Sequence, residues 1–190
     1  MTASVCLIAS LTGVARGLRH PRGQATGLGS KVLRLPAYLL ISALFFGTCY
    51  VLWQPLPLVL SPSARAVALI TGVLFYFPSL ALVLWGRLTL GEMYNVSSSV
   101  GVQLYADHRL ITHGPFAIVR HPIYAGLILA SAGGCFIYRT WTLLFTLAAF
   151  LGLAVRARRE EQALAAEFGE EWEAYCQRVP AWIPRIPMCG

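Results

Sequence analysis

Two short stretches hold most of the residues that could do chemistry. The first runs His108-Arg109-Leu110-Ile111-Thr112-His113-Gly114-Pro115-Phe116-Ala117-Ile118-Val119-Arg120-His121-Pro122-Ile123-Tyr124 and carries three of the chain's 4 histidines. Pro122 suits the first turn of a helix, where a missing N–H costs nothing. His121 then falls at the N-cap, beside free backbone N–H groups and the positive end of the helix dipole. With Arg120 it forms an anion site. A metal site built from His108, His113 and His121 is not expected, because their separations match no common helical ligand pair.

The second stretch is Arg156-Ala157-Arg158-Arg159-Glu160-Glu161. On a continuous helix Arg156 stacks on Glu160 at i, i+4 and Arg158 on Glu161 at i, i+3. Taken alone, this is a helix leaving a bilayer with exposed ion pairs, each worth ~0–1 kcal/mol. Beside the first stretch it becomes more: an anionic and a cationic cluster facing each other suit a zwitterionic ligand.

The elements that must position these clusters follow from composition. Of 190 residues, 57% are hydrophobic and 12% charged, against about 25% charged in an ordinary soluble domain. Mean hydropathy is +0.63. Soluble enzyme, disordered regulator and secreted disulfide module are disfavoured, and an integral membrane protein remains. The formal charge of +7 comes from 15 basic against 8 acidic residues. The arginines sit in short loops between apolar runs, without the dense basic, aromatic-laced stretch of a nucleic-acid binder, so no nucleic-acid partner is expected. The 5 cysteines form no CxxC pair and imply neither a disulfide framework nor a zinc site. Gly27-Leu28-Gly29 follows no strand, so a dinucleotide loop is excluded and Gly23–Ser30 reads as a flexible linker.

Four apolar runs approach the ~20 residues that cross a hydrocarbon core of ~30 Å: 36–53, 66–85, 122–138 and 141–155. A shorter run over 2–15 reads as a short first helix. The expected fold is an all-α integral membrane protein of four to five transmembrane helices. Residues 1–87 form an N-terminal membrane half and 88–190 a catalytic half ending in an interfacial helix over 156–179. Basic loops alternate with nearly uncharged ones, which places the 87–120 loop and the tail together on the cytoplasmic side. Gly126, Ala130 and Gly134 on the third span, with Ala148 and Gly152 on the fourth, are small-residue stripes that let helices approach. Joined by a tight turn at Arg139, these spans form a hairpin that sets Arg120–Tyr124 beside Arg156–Glu161. Beyond it, Leu164, Phe168, Trp172, Tyr175 and Val179 share one apolar helix face, fit either to lie on the bilayer or to fold over the clusters as a lid. Trp182 and the other aromatics near run ends read as interfacial anchors.

Together these residues resemble the isoprenylcysteine carboxyl methyltransferase family, within the wider group that includes phospholipid methyltransferases. One block of the resemblance is His108, Leu110, Ile111, Gly114, Phe116, Arg120, His121, Pro122 and Tyr124. The other is Arg156, Glu160, Glu161, Leu164, Phe168, Gly169, Trp172 and Tyr175, followed by Arg178-Val179-Pro180 and Ile183-Pro184. A shorter element, Leu90-Gly91 before Tyr94-Asn95, precedes both. Phe116 and Trp172 stand where tyrosine is commoner.

The resemblance implies a cytosolic pocket for S-adenosyl-L-methionine formed by the C-terminal half, with no metal. In that reading Glu160 or Glu161 takes the cofactor's ammonium, and His121 with the helix start at Pro122 takes its carboxylate. His108, Leu110 and Ile111 line the adenine, Gly114 permits close backbone approach, and Tyr124 lies near the ribose. Arg156 and Arg120, grouped with Glu160 as the catalytic set, are free to hold an anionic acceptor arriving laterally from the bilayer. The acceptor stays open between a prenylated cysteine carboxylate, a phospholipid amine and another lipophilic molecule. A nicotinamide-dependent reductase resembling the sterol reductases, and a non-catalytic scaffold, are the other readings.

Overall fold

The computed structural model describes residues 22–26, 35–93, 102–105 and 109–184; the expected helix over 2–15, His108, Tyr94 and Asn95 lie outside them. Six helices account for most of the described chain. Helix α1 is Leu35–Val51, α2 Pro62–Leu90, α3 Pro122–Tyr138, α4 Trp141–Leu151, α5 Leu153–Phe168 and α6 Glu170–Arg178. Strand β1, Arg22–Thr26, pairs antiparallel with β2, Val102–Tyr105, in a two-stranded ribbon. That ribbon takes in the start of the segment expected to be a free linker.

Sequence signals set the helix ends. Ser61 caps α2, its hydroxyl accepting from the Ala64 N–H at 3.3 Å, with Pro62 in the first turn. The helix then runs through Pro78 to Gly91, whose positive φ of 49° stops it. Its 29 residues span about 44 Å at ~1.5 Å each, so its last turns project past the apolar run. Helix α3 starts at Pro122 and ends at Arg139, a non-glycine residue with φ 50° and ψ 50°. This left-handed cap makes the tight turn into α4. Only Gly152 separates α4 from α5, and it stays in the right-handed helical region at φ −62°, so the two are nearly collinear.

Lipid, not water, suits the outer surface. Tyr50 is 84% exposed and Leu74 67%, among many exposed large apolar side chains. Both Pro62–Leu90 and Trp141–Phe168 are long and apolar enough to cross a membrane, with little of either apolar window buried inside the protein. Contiguous apolar surface on this scale belongs in a bilayer. This is the expected integral membrane fold, helical apart from the ribbon.

The tightest packing joins α2 to α3. A Cβ on Gly133 would stand 2.7 Å from the Tyr76 nitrogen and 3.0 Å from the Gly72 carbonyl oxygen; one on Gly126 would stand 2.9 Å from the Ser79 carbonyl. Of the expected stripe Gly126 faces α2, while the closest backbone contact with α2 is made by Gly133, which lies outside the stripe. Gly134 alone of that stripe meets α4, at Leu143. The reason is complementarity: α2 supplies Gly72 opposite Gly133, allowing backbone contact. At the far end from the charged clusters, the α3–α4 turn is latched to the 52–56 segment. The Trp141 N–H donates to Gln54 O at 3.1 Å, the Leu56 N–H to Arg139 O at 2.7 Å, and the Thr142 hydroxyl to Cys49 O at 2.7 Å.

Candidate active site

Helix α5 ends at Gly169, φ 48°, which turns the chain so that α6 folds back. Its apolar face is buried in the protein: Trp172, Tyr175 and Val179 form a core with Leu110, Leu164, Phe168 and Cys176 packed on it. The face expected to rest on the bilayer or close as a lid is therefore docked on the loop before α3. The Tyr175 hydroxyl fixes that docking by donating to the Phe116 carbonyl at 2.7 Å. Burial is the main cause pushing the Tyr175 phenol up to about 12, with Arg120 opposing it.

With α6 docked, α5 lies across the start of α3 and the two charged clusters meet. Glu161 Oε1 accepts from Arg120 Nε at 3.0 Å and Nη2 at 2.9 Å, and lies 2.9 Å from His121 Nε2. Glu160 Oε1 accepts from the Tyr124 hydroxyl at 2.5 Å and from Arg156 Nε at 3.2 Å. Arg156 also lies over the Tyr124 ring, 5.4 Å from its centroid. The i, i+4 pair of Arg156 and Glu160 is as expected. The i, i+3 pair is not: Glu161 turns to Arg120 and His121, and Arg158 is exposed. The cross-helix partners win because they are half-buried, where charge-assisted bonds are stronger than on the surface. Hydrogen bonding from His121 is the largest influence on the Glu161 carboxyl, a residue beyond the apolar part of its helix. Together with Arg120 it outweighs burial and holds the carboxyl below its usual range.

Three aromatic contacts close round this pair. The His121 ring stacks on Tyr124 at 5.7 Å and 7° between planes, and also meets Trp182 at 5.3 Å. Trp182 is thus a neighbour of the site, which reading it as a membrane anchor missed; its place in the tail just after Val179-Pro180 was the available signal. Arg120 is also more engaged than expected. Its Nη1 donates to the carbonyls of Cys176 at 3.3 Å and Val179 at 2.9 Å, and its guanidinium lies over Trp172. Every guanidinium nitrogen of Arg120 therefore has a protein partner.

The remaining expected residues divide. Pro122 is fully buried in the first turn of α3. Leu110 packs into the α6 core and Ile111 is half-buried beside it in sequence. Gly114 adopts φ 62°, and a Cβ there would stand 2.9 Å from Thr89 Oγ1. Its glycine is required by backbone conformation and by contact with α2. Among the described residues no group of three or more His, Cys, Asp or Glu could hold a metal.

A donor set of this kind fits a zwitterion. All three contacts to Glu161 fall on Oε1, which leaves Oε2 without a protein partner among the described residues. An ammonium is the natural occupant. His121, which touches Glu161, is also the N-cap of α3, and α3 begins without a side-chain cap, so the N–H groups of its first turn and its dipole favour a carboxylate.

Residues 68–166, just over half the chain, match the model of the isoprenylcysteine carboxyl methyltransferase (ICMT) family. The protein-S-isoprenylcysteine O-methyltransferase of Schizosaccharomyces pombe is 39% identical over 83 residues, 43% of this chain and 35% of that protein. Methanethiol S-methyltransferase 1 of Bradyrhizobium diazoefficiens is 29% identical over 168 residues, 82% of this chain and 56% of that protein. A solved structure of the eukaryotic intramembrane Ras methyltransferase ICMT is 26% identical, covering 82% of this chain and 53% of that one, with a TM-score of 0.49. The chain spans 35% to 44% of the first prenylcysteine methyltransferases it matches.

Proposed function

The chain belongs to the isoprenylcysteine carboxyl methyltransferase family, and from that premise we propose that it is an integral-membrane methyltransferase that uses S-adenosyl-L-methionine to methylate a lipophilic acceptor on the cytoplasmic side. The observation that carries this reading is the meeting of Glu160 and Glu161 with Arg120, His121 and Tyr124 across α5 and α3. When bound, the cofactor supplies a methyl group on a sulfonium, open to in-line displacement without a covalent enzyme intermediate. Positioning then does most of the work.

The residues present fit that cofactor. Glu161, with Oε2 available, takes the ammonium. The uncapped start of α3 beside His121 takes the carboxylate. His121, in contact with Tyr124 and Trp182, orients the cofactor, while Glu160 and Tyr124 brace one another and fix Arg156 at the edge nearest the apolar part of α5. Arg156 holds an anionic acceptor there. A carboxylate acceptor already carries its negative charge and needs orientation more than a general base, whereas a thiol acceptor must also release its proton to solvent or a nearby base. Ile111 borders the adenine side. Leu110 and Gly114 serve the packing around the site, and Arg120 serves its positioning.

For the acceptor we favour a prenylcysteine carboxylate, the chemistry named for the fission-yeast relative. A small lipophilic thiol is the second reading, favoured because the methanethiol methyltransferase aligns over 82% of this chain. Calorimetry on the detergent-solubilised protein should show heat with S-adenosylhomocysteine and none with NADPH; heat from NADPH alone would replace this reading with a reductase. Labelled-methyl transfer to a prenylcysteine analogue, an alkyl thiol and a lipid amine then assigns the acceptor.

A further inference from the structure

The segment after α6 is bound to the start of α3 more firmly than a chain end needs. The Arg120 N–H donates to the Pro180 carbonyl at 2.9 Å and the His121 N–H to the Ala181 carbonyl at 3.1 Å. These two bonds lay residues 179–182 alongside 120–121 and deliver Trp182 onto the His121 ring. The same Arg120 side chain binds the carbonyls of Cys176 and Val179, where α6 ends and its unsatisfied C=O groups need a donor. Its other nitrogens hold Glu161. One guanidinium therefore joins three things: the end of α6, the covering segment that follows it, and the carboxylate placed against the methyl donor's ammonium.

The geometry points to Arg120 as a positioning residue that fastens the strap Val179–Trp182 over the His121–Glu161 pair, with Trp182 as the wall closing that side of the donor pocket. The strap rests on hydrogen bonds present in the protein alone. Its effect on catalysis rests on the donor site proposed above. Lysine cannot replace this arginine: a point charge cannot reach Glu161 and the two carbonyls from one planar fork.

The test uses the full-length protein in detergent, Arg120→Ala and Arg120→Lys, and three readouts: S-adenosylhomocysteine affinity by calorimetry, acceptor KM at saturating donor, and hydrogen exchange of the Arg120 and His121 amides. Both variants should weaken S-adenosylhomocysteine at least about tenfold, speed exchange at both amides, and leave acceptor KM unchanged. A raised acceptor KM with donor affinity and exchange unchanged would overturn the assignment, since Arg120 would then be touching the acceptor. Weaker donor binding without faster exchange would overturn the strap. If the unaltered protein binds no S-adenosylhomocysteine, the methyltransferase reading fails, and exchange alone decides whether Arg120 fastens the strap. Should the Arg120 variants not fold, Trp182→Ala leaves every Arg120 bond in place. It should lower donor affinity with acceptor KM constant, and unaltered donor affinity would sink the wall.

Discussion

The Tyr124 hydroxyl and Glu160 Oε1 meet at 2.5 Å across 36 positions of sequence, in the first turn of α3 and one turn beyond the apolar part of α5. Arg156 reaches the same oxygen at 3.2 Å, so phenol and guanidinium converge on a single acceptor atom. Tyr124→Phe removes that charge-assisted bond while keeping the ring stacked on His121. A hydrogen bond to a charged group is worth about 1.5–3 kcal/mol, so S-adenosylhomocysteine affinity should fall by about tenfold or more, read by calorimetry. The same lost bond should lower the thermal midpoint by several degrees while the unfolding transition stays cooperative.

Glu161 sets an acid limit. Its folded carboxyl titrates below the ordinary value of 4.5, so its stabilising contribution is fully present above that value and is lost as pH falls through the lowered one. The thermal midpoint, followed by tryptophan fluorescence in detergent, should drop below about pH 5. In Glu161→Gln the midpoint should be lower at neutral pH and should vary less over the same acid range.

Gly133→Ala should destabilise by about 1–3 kcal/mol, because the new Cβ meets backbone that cannot step aside. Gly47→Ala on α1 is the matched control. Nothing lies within 4 Å of a Cβ there, and alanine is the better helix former. Equal thermal midpoints for the two variants would contradict the close α2–α3 contact.

Tyr175→Phe should cost about 1–3 kcal/mol by leaving the Phe116 carbonyl without its buried donor. The phenol, pushed up to about 12, favours its neutral form, so its contribution holds below pH about 10 and fades as pH rises toward the folded value. Ultraviolet titration of the variant should show one fewer late-ionising tyrosine than the unaltered protein.

Helix existence and the convergence of the two charged stretches were legible in the sequence because apolar run length and the Arg139 turn are local properties. Partner choice was not. Periodicity could place Gly126, Ala130 and Gly134 in one row of α3, but not say that Gly126 meets α2 and Gly134 meets α4, or that Gly133, outside the row, packs on Gly72. In the same way, spacing offered Arg158 to Glu161, while the actual partners lie 40 and 41 positions away. The role of Trp182 depended on backbone bonds between Arg120, His121 and the tail, for which no periodic pattern exists. Arg120 looked available because a sequence does not show that carbonyls at the end of a distant helix will occupy it.

The contact between α2 and α3 has a bearing on traffic through the bilayer. Where two backbones leave no gap for a methyl group, no hydrocarbon tail can be threaded, and that flank is sealed along the registers of Gly72 and Gly126. A greasy molecule on its way to Arg156 must skirt this weld and approach the charged rim from another side of the helix pair.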